Sequence, residues 1–295
     1  MDTSPPARTA SADAVRGRSA ARHWLAGFGW AGSVGLLVLL LWLVAALAGP
    51  WLLPRHLVDL QASVVYGPIN ATHWLGTDYL GRDMLVRVVQ GARYTVGVAL
   101  VATLVASATG TVLALLAAAS GTVVDSVLSR LLDTLTSIPS KMFALVLVAG
   151  FGSSVGMLVF TAALIYVPGA YRIARSLAVN INELDYVTVA RTRGESTLYI
   201  MLREILPNIL GPMLADLGLR FVYVVLLLAS LSFLGLGIQP PAADWGSLVR
   251  ENIGALPDAG ASVIAPALAI ASLTIAVNLV IDNLPGRSAR ARGRC

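Results

Sequence analysis

Long stretches without a charged residue alternate with short charged segments along this chain. Most of the stretches approach or exceed the about 20 apolar residues that an α-helix needs to cross a bilayer. A soluble bundle would show polar stripes at the helical period on its outer faces, and residues 95–124 show none. The stretches are 30–53, 95–124, 142–171, 221–243 and 261–281. The pattern therefore predicts an all-α, polytopic membrane helix bundle.

The third stretch contains parts of two spans. Turn-forming residues interrupt it between Gly150 and Gly156, where a continuous helix would be costly. We expect one span, which begins before Asp133, to end there and the next span to begin near Met157. With this division the chain has about six spans.

The distribution of arginine predicts the orientation of these spans. Three arginine-rich segments fall on one side of the membrane, and the positive-inside rule identifies that side as the cytoplasm. They are residues 8–22, 172–203 and 287–294. Both termini are therefore expected in the cytoplasm. The segment between Arg55 and Arg93 lies outside and departs from the rule, although Asp59, Asp78 and Asp83 accompany its arginines.

The same reasoning divides the chain into segments. We expect a disordered cytosolic tail over 1–27, a first transmembrane helix over 28–53 and an extracytoplasmic segment over 54–93. A five-helix core over 94–284 should follow, with a cytosolic hairpin over 182–208. A basic cytosolic tail is expected over 285–295. The extracytoplasmic segment should contain a short amphipathic helix capped by Asp78, with Leu80, Met84 and Val88 on one face.

Composition and charge agree with lipid as the main solvent. The chain is 57% hydrophobic and 13% charged, whereas soluble domains carry about 25% charged residues. The net charge of +5 comes almost entirely from arginines at the ends of apolar stretches. We therefore expect membrane lipid, and no nucleic acid, as a partner. The single cysteine, Cys295, allows neither an intrachain disulfide nor a cysteine-based metal cluster.

Residues 182–208 are the most informative segment. Asn182 can cap a helix, and Gly194 breaks the helical pattern. A second helix is expected from about Thr197 to Pro207. Its apolar face is formed by Leu198, Met201, Leu202 and Ile205. The pattern predicts a hairpin of two helices, joined at glycine, outside the membrane.

This hairpin resembles the cytosolic signature of the membrane-spanning subunits of bacterial ATP-binding-cassette (ABC) importers. That signature runs Glu-Ala-Ala, three residues, Gly and later Leu-Pro; here the frame is Thr188-Val189-Ala190, Gly194 and Leu206-Pro207. The spacing matches, whereas the first two letters differ. Residues 73–83 and 231–241 are similar to signature segments of the C-type permease subunit in the dipeptide, oligopeptide and nickel branch.

The resemblance implies a type I ABC importer permease fold, in which the hairpin is a coupling helix that docks on an ATPase subunit. The residues it assigns to docking are Tyr186, Val187, Thr188, Val189, Ala190, Arg191, Arg193, Gly194, Glu195, Leu198, Leu206 and Pro207. It also implies a second permease subunit in a heterodimer, two ATP-binding subunits or domains, and an extracytoplasmic substrate-binding protein. Thr188 removes a helix-terminal anion from the docking contact, and Leu228 replaces a glutamate that is frequent in the family.

Ionisable residues at membrane depth are candidates for a transport path, because such groups usually face a bundle interior or water. They are Asp133, Lys141, Asp216, Arg220 and Asp282. All could instead lie near span ends, where snorkelling or pairing with a partner subunit suffices. The candidate gate or pathway residues are Asp133, Asp216, Arg220, Gly235 and Gly237. The two glycines permit close helix approach, and Pro240-Pro241 should end the helix of the fifth span.

The chain is not expected to hydrolyse ATP. A phosphate-binding Gly-x-x-x-x-Gly-Lys loop needs a lysine after glycine, and the sole lysine, Lys141, follows Ser140. No cofactor is therefore expected on this chain, and ATP and Mg are expected on partner subunits.

We expect a non-enzymatic permease subunit that translocates di- or oligopeptides across the bacterial inner membrane. Two alternatives stay open: a permease for nickel or another metal chelate, and a proton-coupled secondary transporter that uses an intramembrane aspartate. The histidines do not decide whether the solute is a peptide or a metal chelate, and their spacing predicts no metal site.

Overall fold

The computed structural model describes residues 29–52, 64–257 and 260–283. Its helices are α1 Trp30–Leu52, α2 Met84–Ser120, α3 Thr122–Thr136, α4 Ser140–Phe151, α5 Val155–Asn182, α6 Asp185–Thr192, α7 Thr197–Phe233, α8 Trp245–Asn252 and α9 Ala261–Asp282. The tails predicted over 1–27 and 285–295 lie outside the described residues.

Five helices in the described ranges are long and apolar enough to cross a membrane, and α3 with α4 makes a sixth if the bent pair is one span. This confirms the all-α bundle of about six spans. The third predicted span is divided between α3 and α4, and the chain bends by 82° between them. Pro139 lies at this bend, where it cannot donate a backbone hydrogen bond and disfavours helix in the residue before it.

The start of α2 also differs from the prediction. Residues 64–83 form turns, and the cap of the following helix is Asp83, whose Oδ1 accepts a hydrogen bond from Val86 N at 3.0 Å. Asp78 accepts hydrogen bonds from the backbone N–H groups of Leu80 and Arg82, at 2.9 Å each. The predicted amphipathic helix was wrong because this carboxylate organises a loop.

Two apolar clusters form the core, one above the other along the bundle. The first joins the start of α2 to α1, α8, α9 and the end of α7 at what we call the far end. The second joins the end of α2 to α3, α5, α6 and the start of α7 at what we call the hairpin end.

The contact between α2 and α5 depends on a glycine. A Cβ atom at Gly110 would lie 2.5 Å from Ala170 Cβ and 2.9 Å from Val167 O. These distances are shorter than van der Waals contact, so the two helices approach at a point where a side chain cannot fit.

Helix α7 ends before the proline pair that was expected to stop it. Gly235 has φ +89° and donates its N–H to Ser232 O at 3.0 Å, while Leu236 N donates to Leu231 O at 2.9 Å. This pair of bonds is a Schellman motif, which satisfies the last carbonyls of a helix through a left-handed residue. The end of α7 is therefore set by Gly235.

The connection after α7 enters the bundle. Trp245 and Leu248 of α8 are fully buried. Trp245 donates its indole N–H to Val88 O at 2.8 Å and its backbone N–H to Thr95 Oγ1 at 3.0 Å, both in α2. Helix α8 is thus part of the core at the far end.

Candidate functional site

The hairpin begins later than the sequence suggested. Helix α5 continues to Asn182, so this residue ends a span and the prediction that it caps α6 was wrong. Leu184 occupies the N-cap position of α6 and makes no side-chain cap. Asn182 Oδ1 accepts a hydrogen bond from Arg191 Nη2 at 2.7 Å, which ties the end of α5 to the last turn of α6.

Gly194 forms the turn between the hairpin helices, as predicted. Its φ is +79°, its N–H donates to Arg191 O at 3.0 Å, and Glu195 N donates to Ala190 O at 3.2 Å. These bonds make a second Schellman motif, and a left-handed backbone strongly favours glycine. Ser196 then caps α7 by accepting a hydrogen bond from Tyr199 N at 3.2 Å.

The second hairpin helix does not stop at Pro207. A π-helical segment, Ile200–Ile205, precedes this residue, and Leu206 N donates to Met201 O. In an α-helix the proline ring would clash with the carbonyl four residues earlier, and the wider π turn relieves this contact. The hairpin therefore runs into the fifth span as one helix, α7.

One side of the hairpin is built into the core of the bundle. Val187 is fully buried and Ala190 nearly so, and both face the start of α7, where Met201 and Ile205 are buried. Of the predicted apolar face, Met201 and Ile205 pack against the bundle, whereas Leu198 and Leu202 are exposed. The bundle thus holds the hairpin in one orientation.

The other side presents apolar side chains to the exterior. We call it the docking face, and its members are Leu184, Tyr186, Val189, Leu198, Tyr199 and Leu202, which are 40–62% exposed. Exposed polar residues border it: Thr188, Arg191, Arg193 and Glu195. Pro207 is also exposed, and Leu206 is half-buried. Exposed apolar side chains grouped on one short hairpin and accompanied by polar residues are typical of a protein interaction site.

Three members of this face are not among the residues predicted for docking: Leu184, Tyr199 and Leu202. The helical period groups Leu202 with buried neighbours, and it cannot show on which side of a hairpin the bundle lies. The apolar residues at the start of α7 extend around the helix beyond a single stripe, and this pattern was an additional signal that a second side of the helix is apolar.

A second candidate site lies in the middle of α5 and α7. Arg220 donates through Nη2 and Nε to Asp216 Oδ2, at 2.6 and 3.1 Å, and through Nη1 to Tyr166 O at 2.8 Å. The side chains of Arg220 and Asp216 are only 6% and 11% exposed. A Cβ at Gly169 would lie 2.9 Å from Arg220 Nη1. The structure thus joins two predicted residues into one ion pair that links two spans.

The remaining candidates are dispersed. Asp133 lies at the hairpin end, exposed, and accepts a hydrogen bond from Arg172 Nη2 at 3.0 Å. Gly235 and Gly237 lie at the far end, where a Cβ at Gly237 would lie 1.8 Å from Ser232 Oγ. Lys141 and Asp282 are exposed, and Leu228 belongs to the apolar core.

Comparison with known proteins assigns this arrangement to a class. Residues 110–290 match the family described as the binding-protein-dependent transport system inner membrane component. The match includes the hairpin and more than half of the chain, so the chain belongs to this family of multi-pass inner-membrane permease components. This confirms the membership expected from the three signature segments.

Individual relatives are similar over most of their length. The chain is 34% identical to a protein of Brucella suis named as a peptide transport system permease, over 85% of this chain and 84% of the relative. It is 31% identical to the dipeptide transport system permease protein of Haemophilus influenzae, over 85% and 87%. It is 33% identical to the glutathione transport system permease protein of Pectobacterium atrosepticum, over 85% and 84%.

Proposed function

We propose that this chain is the permease subunit of an ATP-driven importer for di- or oligopeptides, and that its docking face binds an ATP-binding subunit. The observation that carries the proposal is the hairpin, which has one side packed in the bundle core and apolar side chains exposed on the other. The names of the relatives, which refer to peptides, dipeptides and glutathione, support a peptide as the solute.

The proposal includes several partners. Two ATP-binding subunits or domains hold ATP and Mg and perform hydrolysis, so this chain is not itself an enzyme. A second permease subunit completes the pathway as a heterodimer, and an extracytoplasmic binding protein delivers the solute at the far end. Both termini then lie in the cytoplasm, on the side of the hairpin.

Helix α7 supplies the mechanical link in this proposal. It is continuous from Thr197 on the hairpin to Phe233 at the far end. A displacement of the docking face would therefore move the part of α7 that holds Asp216 and Arg220. We assign a gate to this ion pair, because charged groups at membrane depth usually serve a solute path. Asp133, Gly235 and Gly237 stay candidates for this path.

Gly194→Val tests the docking role. A β-branched residue at φ +79° costs about 1–3 kcal/mol, while no atom lies within 4 Å of the position of its Cβ. The variant should disturb the turn without a clash in the core. In proteoliposomes with the partner subunits, we expect membrane insertion to persist and peptide uptake per ATP hydrolysed to fall at least tenfold.

Gly194→Asn is the matched control, because asparagine tolerates the left-handed conformation. Its uptake should lie within about threefold of the wild type, since Asn keeps the turn. Wild-type uptake in Gly194→Val would overturn the docking role. Uptake driven by a proton gradient, without ATP or an ATPase subunit, would show a secondary transporter instead.

A further inference from the structure

Four charged side chains at the far end form a cluster that the function proposed above does not use. They are Asp78, Arg82, Arg87 and Glu251, with side-chain exposures of 0%, 20%, 7% and 6%. They come from the turn segment 64–83, from the first turn of α2 and from α8. Two cations and two anions make the cluster neutral, which accounts for two of the arginines that depart from the positive-inside rule.

Arg87 is at the centre of this cluster. Its Nη2 donates to Glu251 Oε2 at 3.3 Å, its Nη1 donates to Pro241 O at 3.0 Å, and its Nε lies 3.7 Å from Asp78 Oδ2. Arg82 Nε donates to Asp78 Oδ2 at 2.7 Å. One guanidinium group therefore links the second span to α8, to the loop before α8 and to the turn segment.

The helix held by this cluster is packed into the far end of the bundle. Trp245 and Leu248 of α8 fill the space between α2, α7 and α9. The same end of α8 is also held by Asn252, whose Oδ1 accepts a hydrogen bond from Tyr79 N at 3.1 Å. Helix α8 therefore lies at the end of the bundle opposite the hairpin.

The cluster is only partly satisfied. Three buried atoms of this cluster make no hydrogen bond to a described residue: Arg82 Nη2, Arg87 Nε and Glu251 Oε1. The two nitrogen atoms still lie within ion-pair distance of Asp78 Oδ2, at 2.7 Å for Arg82 and 3.7 Å for Arg87. Burial raises the pKa of Glu251, and the nearby guanidinium groups of Arg87 and Arg82 lower it in part. Apolar residues of similar size would usually stabilise such a site as well or better. The charges are therefore poorly explained by stability alone.

We propose that Arg87 and Glu251 form a latch that positions α8 across the far end, and that release of this latch is a step of solute entry. Water that enters on release forms hydrogen bonds with these three atoms, which lowers the free energy needed for opening. Both are positioning residues that act through α8. The inference rests on the proposed import function, because only an importer must open this end to receive its solute.

Labelling of a buried cysteine on α8 tests the latch. Leu248→Cys in a Cys295→Ser background places a thiol where the native side chain is fully buried. In the full chain, assembled with its partner subunits in nanodiscs without ATP, a water-soluble maleimide should label this thiol slowly. Adding Glu251→Gln should accelerate labelling at least tenfold, and Arg87→Met should do the same. Arg87→Lys, which keeps the charge, should restore slow labelling to within about threefold of the parent.

Arg250→Met is the matched control, because Arg250 is an exposed cation next to Glu251 on the same helix. It should leave the labelling rate within twofold of the parent. Rates unchanged by both Glu251→Gln and Arg87→Met, or raised equally by Arg250→Met, would overturn the latch.

If the latch variants do not assemble, the parent protein, Leu248→Cys in the Cys295→Ser background, still tests the proposal. Its labelling should accelerate when ATP, peptide and binding protein start turnover, and an unchanged rate during measured uptake would overturn the proposal. Labelling without ATP does not depend on the docking face. Failure of the latch is therefore distinguishable from failure of the ATP-driven function, which Gly194→Val and the proton-gradient assay measure.

Discussion

At the residue scale, the ion pair between Asp216 and Arg220 shows how a membrane-embedded charge is tolerated. Arg220 uses three nitrogen atoms on two acceptors, a carboxylate one turn away and the backbone carbonyl of Tyr166. The absence of a side chain at Gly169 leaves space for the guanidinium group. The charge of Arg220 is thus neutralised within the bundle. Each of the two buried side chains, Asp216 and Arg220, depends on the other for this neutralisation.

Removal of one charge of this ion pair should therefore destabilise the protein more than removal of both charges. Asp216→Asn leaves a buried cation without its anion, and such changes cost about 3–5 kcal/mol. Asp216→Leu with Arg220→Met replaces the pair by apolar groups and should be close to neutral in stability. Thermal unfolding of the purified chain in nanodiscs checks both expectations, and a single variant as stable as the wild type would contradict them.

The uptake assay separates stability from function in the same variants. If the pair is a gate, the apolar double variant should be stable and yet lose peptide uptake at least tenfold. A stable double variant with wild-type uptake would leave the pair a purely structural role.

At the element scale, the pairing of α2 with α5 organises the bundle. Helix α2 has 37 residues and extends about 55 Å at about 1.5 Å per residue, well beyond the about 30 Å hydrocarbon core. It therefore contributes to both apolar clusters. The close approach at Gly110 lets α5 pack along it and carry the hairpin at its end.

Gly110→Ala tests this helix contact. The added Cβ would collide with Ala170 Cβ and with backbone atoms of α5, and overpacking of this kind costs about 1–3 kcal/mol. Gly97→Ala is the control on the same helix, because no atom lies within 4 Å of its Cβ position and alanine favours a helix by up to about 1 kcal/mol. The two variants should shift the melting temperature in opposite directions, and equal shifts would contradict the contact.

At the scale of the whole molecule, the two ends of the bundle have different construction. The hairpin end carries exposed apolar side chains on the hairpin, whereas the far end contains a buried helix and a neutral charge cluster. This asymmetry fits a protein that receives a driving subunit at one end and a solute at the other.

The orientation proposed for these ends is directly measurable. In a Cys295→Ser background, Ala71→Cys at the far end and Glu195→Cys on the hairpin place thiols at exposed positions. A membrane-impermeant maleimide added to intact spheroplasts should label the first variant, and it should label the second only after permeabilisation. The reverse pattern would place the hairpin outside the cytoplasm and exclude an ATPase partner there.

The sequence by itself was sufficient for features that depend on local chemistry. The spans follow from uncharged runs and the hydrophobic effect of lipid, and the turn at Gly194 follows from the backbone freedom of glycine. Other features required the tertiary structure because they involve residues distant in the chain. The passage of α7 through Pro207, the partner of Arg220 on α5, the burial of α8 and the link from Arg87 to Glu251 all depend on which helices become neighbours. Hydrophobic periodicity identifies an apolar side of a helix, but only the packed bundle decides whether that side meets the core, lipid or another protein.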